Sequence, residues 1–130
     1  SCFDEAEMLP CAGQGALGIE TRADSDALNA DLATLGHGRT RLAVEAERAV
    51  SRTLGGSCSM PLAAHARWHG SSLVLRAAVG HPLRADQPLL RASGEAAVDD
   101  DAGARSLGST VAATLLDLGA AAYLAAASAA

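Results

Sequence analysis

Apolar residues recur at helical spacing in three parts of the chain and alternate with polar ones between the second and third. Asp24-Ser25-Asp26 offers an N-cap before Ala27–Leu35, where Leu28, Leu32 and Leu35 fall three or four residues apart. Gly36-His37-Gly38 interrupts that pattern and marks a hinge or domain boundary. Thr40 can cap a second helix that runs to about Leu54, with Leu42, Ala46, Ala49 and Val50 on one stripe. Arg41, Glu45, Arg48 and Arg52 form a charged row beside that stripe, at the spacing that lets helical side chains meet.

After Pro61 the period falls to two. Ala64, Ala66 and Trp68 alternate with His65 and Arg67, and His69-Gly70-Ser71-Ser72 makes a turn. Leu73, Leu75, Ala77 and Val79 then alternate with Val74, Arg76 and Ala78, and a third strand follows over Leu89–Ser93. Strands joined by short links form an antiparallel meander. Asp99-Asp100-Asp101 places negative charge at the start of a last helix, with Leu107, Val111, Leu115 and Leu118 on one face. Gly119 can close that helix, leaving an alanine-rich tail that adds a frayed turn or two. Helix, three strands, helix predicts an α+β fold: a three-stranded antiparallel sheet with helices packed on one face. Ahead of this unit, Gly13-Gln14-Gly15 makes a flexible corner, and Ala16–Glu20 reads as a short buried strand. The chain supplies no obvious neighbour for that strand, so its pairing partner is expected outside this sequence.

Composition narrows the function. The 130 residues are one domain's worth, and hydrophobic content of 49% with only 2% aromatics means small side chains and close-lying helices. A net charge of −5 argues against a nucleic-acid partner, whose electrostatic footprint is basic. No apolar run reaches the ~20 residues that span a bilayer. The acidic start, Ser1-Cys2-Phe3-Asp4-Glu5, has no signal-peptide pattern and no initiator methionine, as if cut from a longer chain. Cys2, Cys11 and Cys58 are odd in number and include no CxxC pair, and the histidines lack ligand spacing, so no metal site is expected. Unpaired thiols fit a reducing, cytoplasmic setting.

The remaining chemistry lies in Leu54-Gly55-Gly56-Ser57-Cys58-Ser59-Met60-Pro61. Two glycines permit a tight turn and close approach of a ligand, while Pro61 biases Met60 toward extended geometry. Cys58 thus sits on a loop between elements, where functional residues concentrate. Residue type alone favours a packed small side chain, and the loop setting brings the reactive-thiol reading level with it.

Three pieces carry a specific resemblance: Leu9-Pro10-Cys11-Ala12-Gly13-Gln14-Gly15-Ala16-Leu17-Gly18-Ile19-Glu20-Thr21-Arg22, then Ala46-Glu47-Arg48, then Leu54–Pro61. In order and spacing the chain resembles the C-terminal portion of porphobilinogen deaminase, also called hydroxymethylbilane synthase. That family is a cytoplasmic, usually monomeric transferase of tetrapyrrole biosynthesis with three domains. The resemblance implies that residues 1–36 are the last strand and helix of the first domain plus a linker. Residues 37–130 would then be the C-terminal, cofactor-anchoring α+β domain. It implies a dipyrromethane cofactor held by a thioether at Cys58, on which four porphobilinogen units are joined into hydroxymethylbilane. It also implies that Gly56 and Ser57 shape the cofactor loop, and that Arg22 and Arg48 meet cofactor or substrate carboxylates, with Gln14 nearby. Each of these arginines could instead make an ordinary surface or interdomain ion pair, and Gln14 could equally fill its corner.

The match departs from the family pattern at Cys11, Ser57 and Ser59-Met60, none of which removes the thiol. The family's catalytic aspartate and most of its substrate arginines match no position here, so no catalytic residue is assigned. The chain alone is expected to be inactive, with the enzyme's N-terminal domains, porphobilinogen and the growing oligopyrrole as partners. A non-catalytic interaction or ligand-binding module built on the same domain is the alternative reading.

Overall fold

The computed structural model describes residues 3–5, 7–55 and 60–128. Its order is α1 (Asp26–Ala33), α2 (Gly38–Thr53), β1 (Leu62–His69), β2 (Ser72–Val79), β3 (Leu90–Ala97), α3 (Asp101–Asp117) and α4 (Ala120–Ser128). The three strands form one antiparallel sheet in the order β1-β2-β3, with Ala66 opposite Leu75 and Leu75 opposite Gly94. Side chains alternate across a strand, so Ala64, Ala66, Leu73, Leu75, Ala77, Val79 and Ala92 all point to the helical layer and are buried. α2 and α3 cover that face side by side, α2 against β1 and α3 against β3 and β2.

Alanine and glycine set how closely these layers pack. A Cβ on Gly108 of α3 would collide with the Ala46 carbonyl oxygen and lie 2.5 Å from Ala49 Cβ on α2. On Gly94 of β3 it would lie 2.9 Å from Val111 Cγ2. Both glycines are therefore required by close approach, the first of helix to helix and the second of sheet to helix.

Several boundaries differ from the sequence expectation. The cap of α2 is His37 rather than Thr40: the His37 Nδ1 accepts the Thr40 backbone N–H at 3.3 Å. β3 continues to Ala97, four residues past the expected end, because the whole of β2 is available to pair with it. The alanine tail is a true helix. Gly119, at φ +100°, turns the chain by 89° between α3 and α4, and Ala120 and Leu124 return into the core. Tyr123 anchors this return by donating its hydroxyl to the Pro88 carbonyl at 3.1 Å.

Residues 16–20 form no strand, because no described segment lies alongside to complete a ladder. Leu17 is 99% exposed and Ile19 65%. The helix expected over Ala27–Leu35 is present as α1 but buries none of its residues. No single described helix is long and apolar enough to cross a membrane; α3 and α4 reach that composition only as a bent pair, and their apolar faces lie in the core.

The α2–α3 contact gives a direct test. Gly108→Ala is expected to lower unfolding stability by about 1–3 kcal/mol through overpacking. Urea denaturation monitored by circular dichroism checks this, with exposed Ser109→Ala as the near-neutral control.

Candidate functional site

β1 is an edge strand, so alternate backbone N–H groups along it lack a partner within the sheet. Two of them are filled from elsewhere. Ala64 donates to the Pro10 carbonyl at 3.0 Å, and Ala66 donates to Glu47 Oε1 at 2.7 Å. The second Glu47 oxygen accepts the Gly13 N–H at 2.6 Å. One carboxylate, 5% exposed, thus ties α2, the edge of the sheet and the glycine corner together. His65 Nδ1 lies 3.4 Å from it, and His65 Nε2 lies 3.4 Å from Glu5, which Arg67 also holds at 2.7 Å.

The corner itself uses glycine for its backbone. Gly13 and Gly15 have φ of +74° and +83°, in the left-handed region where a side chain is strained. Gln14 between them folds back on its own turn: its Oε1 accepts from the Cys11 N–H at 3.2 Å and faces the Cys11 sulfur at 3.4 Å. That side chain shapes the corner, and the residue borders an open cleft of about 550 Å³ shared with Glu47, His65 and Trp68.

A larger open cleft of about 620 Å³ lies between residues 16–21, α1 and α2. Leu17, Ile19, Leu32 and Val44 line it on the apolar side, with Arg41, Glu45 and Arg48 from α2 on the other. Of the charged row on α2, Arg41 pairs with Asp101, and Arg52 pairs with Glu45 at 3.1 Å. Arg48 has no ion-pair partner among the described residues, and its Nε lies 4.0 Å from where a Cβ on Gly13 would stand. A guanidinium with no described ion-pair partner, beside an apolar wall, can take the carboxylate of an organic ligand.

Arg22 is not part of this arrangement. Its guanidinium binds Asp24 through hydrogen bonds of 3.0 and 2.7 Å, and it does not line the cleft. That bond holds the Asp24 carboxyl below the usual carboxylate range and raises Arg22 above its ordinary value. The remaining expected site residues, Gly56, Ser57 and Cys58, lie outside the described residues. Their described flanks are firmly placed. Leu54 is buried, Gly55 leaves α2 with φ +99°, Met60 packs against the core, and the Pro61 carbonyl accepts the Gly80 N–H at 2.9 Å. Among the described residues no cluster of three or more His, Cys, Asp or Glu side chains could hold a metal ion.

Glu47 is the residue that sequence reasoning missed. It served only as part of the Ala-Glu-Arg run, although its place four residues after Ala43 and three before Val50 puts a carboxylate on the buried face of α2.

These features define an α+β domain with two helices on one face of a three-stranded antiparallel sheet and a cleft bordered by an arginine that has no ion-pair partner among the described residues. Residues 41–117 match the family model described as "Porphobilinogen deaminase, C-terminal domain". The chain belongs to the porphobilinogen deaminase family and contains this C-terminal domain. It is 56% identical over 102 residues to the porphobilinogen deaminase of Paraburkholderia phymatum, covering 78% of this chain and 31% of that one. The Albidiferax ferrireducens porphobilinogen deaminase is 51% identical over 113 residues, covering 87% of this chain and 36% of that one. For the Xanthomonas axonopodis pv. citri protein of the same name the figures are 45% over 123 residues, 95% and 39%. The chain thus spans about a third of the length of these curated relatives.

Replacing Glu47 tests the joint. Glu47→Ala strands two backbone N–H groups and is expected to cost about 2–4 kcal/mol, with Glu47→Gln intermediate because it keeps one acceptor oxygen. Urea unfolding of the three proteins measures the order directly.

Proposed function

We propose that this chain is the cofactor-carrying C-terminal part of a hydroxymethylbilane synthase, with a dipyrromethane group attached through a thioether at Cys58. The observation that carries the reading is the family match itself, within which the Leu54–Pro61 run carries Cys58 just after Gly55-Gly56. On this reading residues 1–36 belong with the first domain of the enzyme, and residues 37–130 form the anchoring domain.

The residues present suit such a group. Its acidic side chains call for guanidinium partners, and Arg48 is a described arginine free of any ion pair beside an open apolar cleft. Arg22 would have to exchange Asp24 for a ligand carboxylate, a low-cost step for a fully exposed pair. When bound, dipyrromethane supplies the pyrrole end to which porphobilinogen units are added with loss of ammonia. The part of Cys58 is to hold it. Sulfur is a soft nucleophile suited to an electrophilic methylene carbon, and the C–S bond it forms is a poor leaving bond, so the anchor survives release of product. Gly56 and Ser57 would let the backbone approach the group closely.

The exposed apolar residues Leu17, Ile19, Leu28 and Leu35 fit a face covered by the remaining domains of the enzyme. The aspartate and most arginines that the resemblance requires for elongation match no position here, so this chain alone would carry the group without extending it.

Intact mass of the purified chain, beside Cys58→Ser, tests the assignment. A mass excess of one dipyrromethane, present in the parent and lost in the variant, is expected when the chain is co-produced with the other domains and supplied with porphobilinogen. The bare polypeptide mass under those conditions would overturn it in favour of the non-catalytic module.

A further inference from the structure

The face of the sheet turned away from α2 and α3 carries a concentration of basic side chains in a chain whose net charge is −5. His65 and Arg67 of β1, Arg76 of β2 and Arg91 of β3 all point to it, by the same alternation that sends Ala66, Leu75 and Ala92 into the core. Arg76 is at the centre. It stands directly opposite His65 on one side and Ser93 on the other, and Arg91, opposite Ala78, is its diagonal neighbour.

Two clefts meet at this residue. One, of about 240 Å³, is bordered by Asp4, Glu5, His65, Arg67 and Arg76; the other, of about 370 Å³, by Glu5, Leu9, Arg76, Arg91 and Ser93. The acids at these clefts are Asp4, which borders the smaller one, and Glu5. Glu5 is held by Arg67 at 2.7 Å and lies 3.4 Å from His65. Glu95, opposite Val74, occupies the other diagonal from Arg76, makes no ion pair among the described residues and does not line either cleft. Arg76 and Arg91 have no ion-pair or hydrogen-bond partner among the described side chains.

Arg76 and Arg91 stand on a cross-strand diagonal, about 7–8 Å apart at the backbone by sheet geometry, and an anion held between their long side chains would offset the repulsion of two like charges. The spacing suits a group with two charged oxygens, bridged by both guanidinium forks and accepting a third hydrogen bond from the Ser93 hydroxyl. We propose that Arg76, Arg91 and Ser93 form an anion-binding site on the open sheet face, taking a small dianion such as a phosphate or a dicarboxylate. The site is on the side of the sheet opposite α2, and so is separate from the Arg48 cleft and independent of the function proposed above.

Titration of the full chain with inorganic phosphate and with succinate, followed through arginine Nε–H resonances, tests this. Sodium chloride at matched ionic strength is the control. Saturable shifts at Arg76 and Arg91 are expected with at least one of the two anions. Saturation by phosphate alone would define a tetrahedral oxyanion site; by succinate alone, a dicarboxylate site; by both, the shared dianion chemistry. Arg76→Gln and Arg91→Gln should each weaken binding by roughly tenfold, the scale of one charge-assisted contact, whereas Arg67→Gln should change it by about twofold or less. All three side chains are exposed, so thermal melting should show folded variants. Shifts that rise linearly, that chloride reproduces, or that persist unchanged in both Arg76→Gln and Arg91→Gln would overturn the proposal.

Discussion

The Glu47 carboxylate is the constraint on which the arrangement of the candidate site depends. It is the buried charged side chain among the described residues, and each oxygen accepts one short backbone hydrogen bond. Burying a carboxylate is costly unless its acceptor capacity is filled, and filling it here draws three separate parts of the chain to one point. Ala66 brings the edge of the sheet, Gly13 brings the glycine corner, and α2 brings Arg48 as the next residue. The corner and the unpaired arginine are therefore neighbours for the same reason that the sheet edge is closed.

That closure also explains how a small, aromatic-poor chain keeps an ordered edge strand. The Pro10 carbonyl and Glu47 fill outward N–H groups of β1 that would otherwise offer a template to another chain. Trp68, at the far end of β1, is fixed in turn by donating to the Arg39 carbonyl at 2.9 Å, with the Arg39 guanidinium stacked 4.4 Å above its ring. The helical layer is drawn close by Gly108 and Gly94, so packing relies on near contact rather than on large side chains. Leu54 and Met60, the described residues on either side of Cys58 in the sequence, both pack against this core.

Much of this was legible in the sequence because periodicity reports burial. The alternation from Ala64 to Trp68 and from Leu73 to Val79, and Leu107, Val111 and Leu115 on α3, appear in the structure as the core they implied, whereas Leu118, past the end of that helix, is 52% exposed. Other features depend on contacts that pattern does not encode. His37 replaces Thr40 as a cap because an imidazole nitrogen can accept, a role composition rules assign to hydroxyls and carboxylates. The tail forms α4 because Gly119 turns Ala120 and Leu124 back onto the core, which an unbroken run of alanine does not announce. Residues 16–20 have the composition of a strand but no described neighbour to pair with. Of the candidate site residues, Arg48 lies beside Gly13 with no ion-pair partner among the described residues, Arg22 is turned to Asp24, and Gln14 is occupied by Cys11.

The most direct test of the Glu47 joint is native-state hydrogen exchange at the Gly13 and Ala66 amides of the unaltered protein. If one buried carboxylate holds both, the two amides should exchange with closely similar opening free energies, near that of the core strands. Exchange of Gly13 at the rate of an open loop while Ala66 remains protected would contradict it, and would make the glycine corner independent of the sheet.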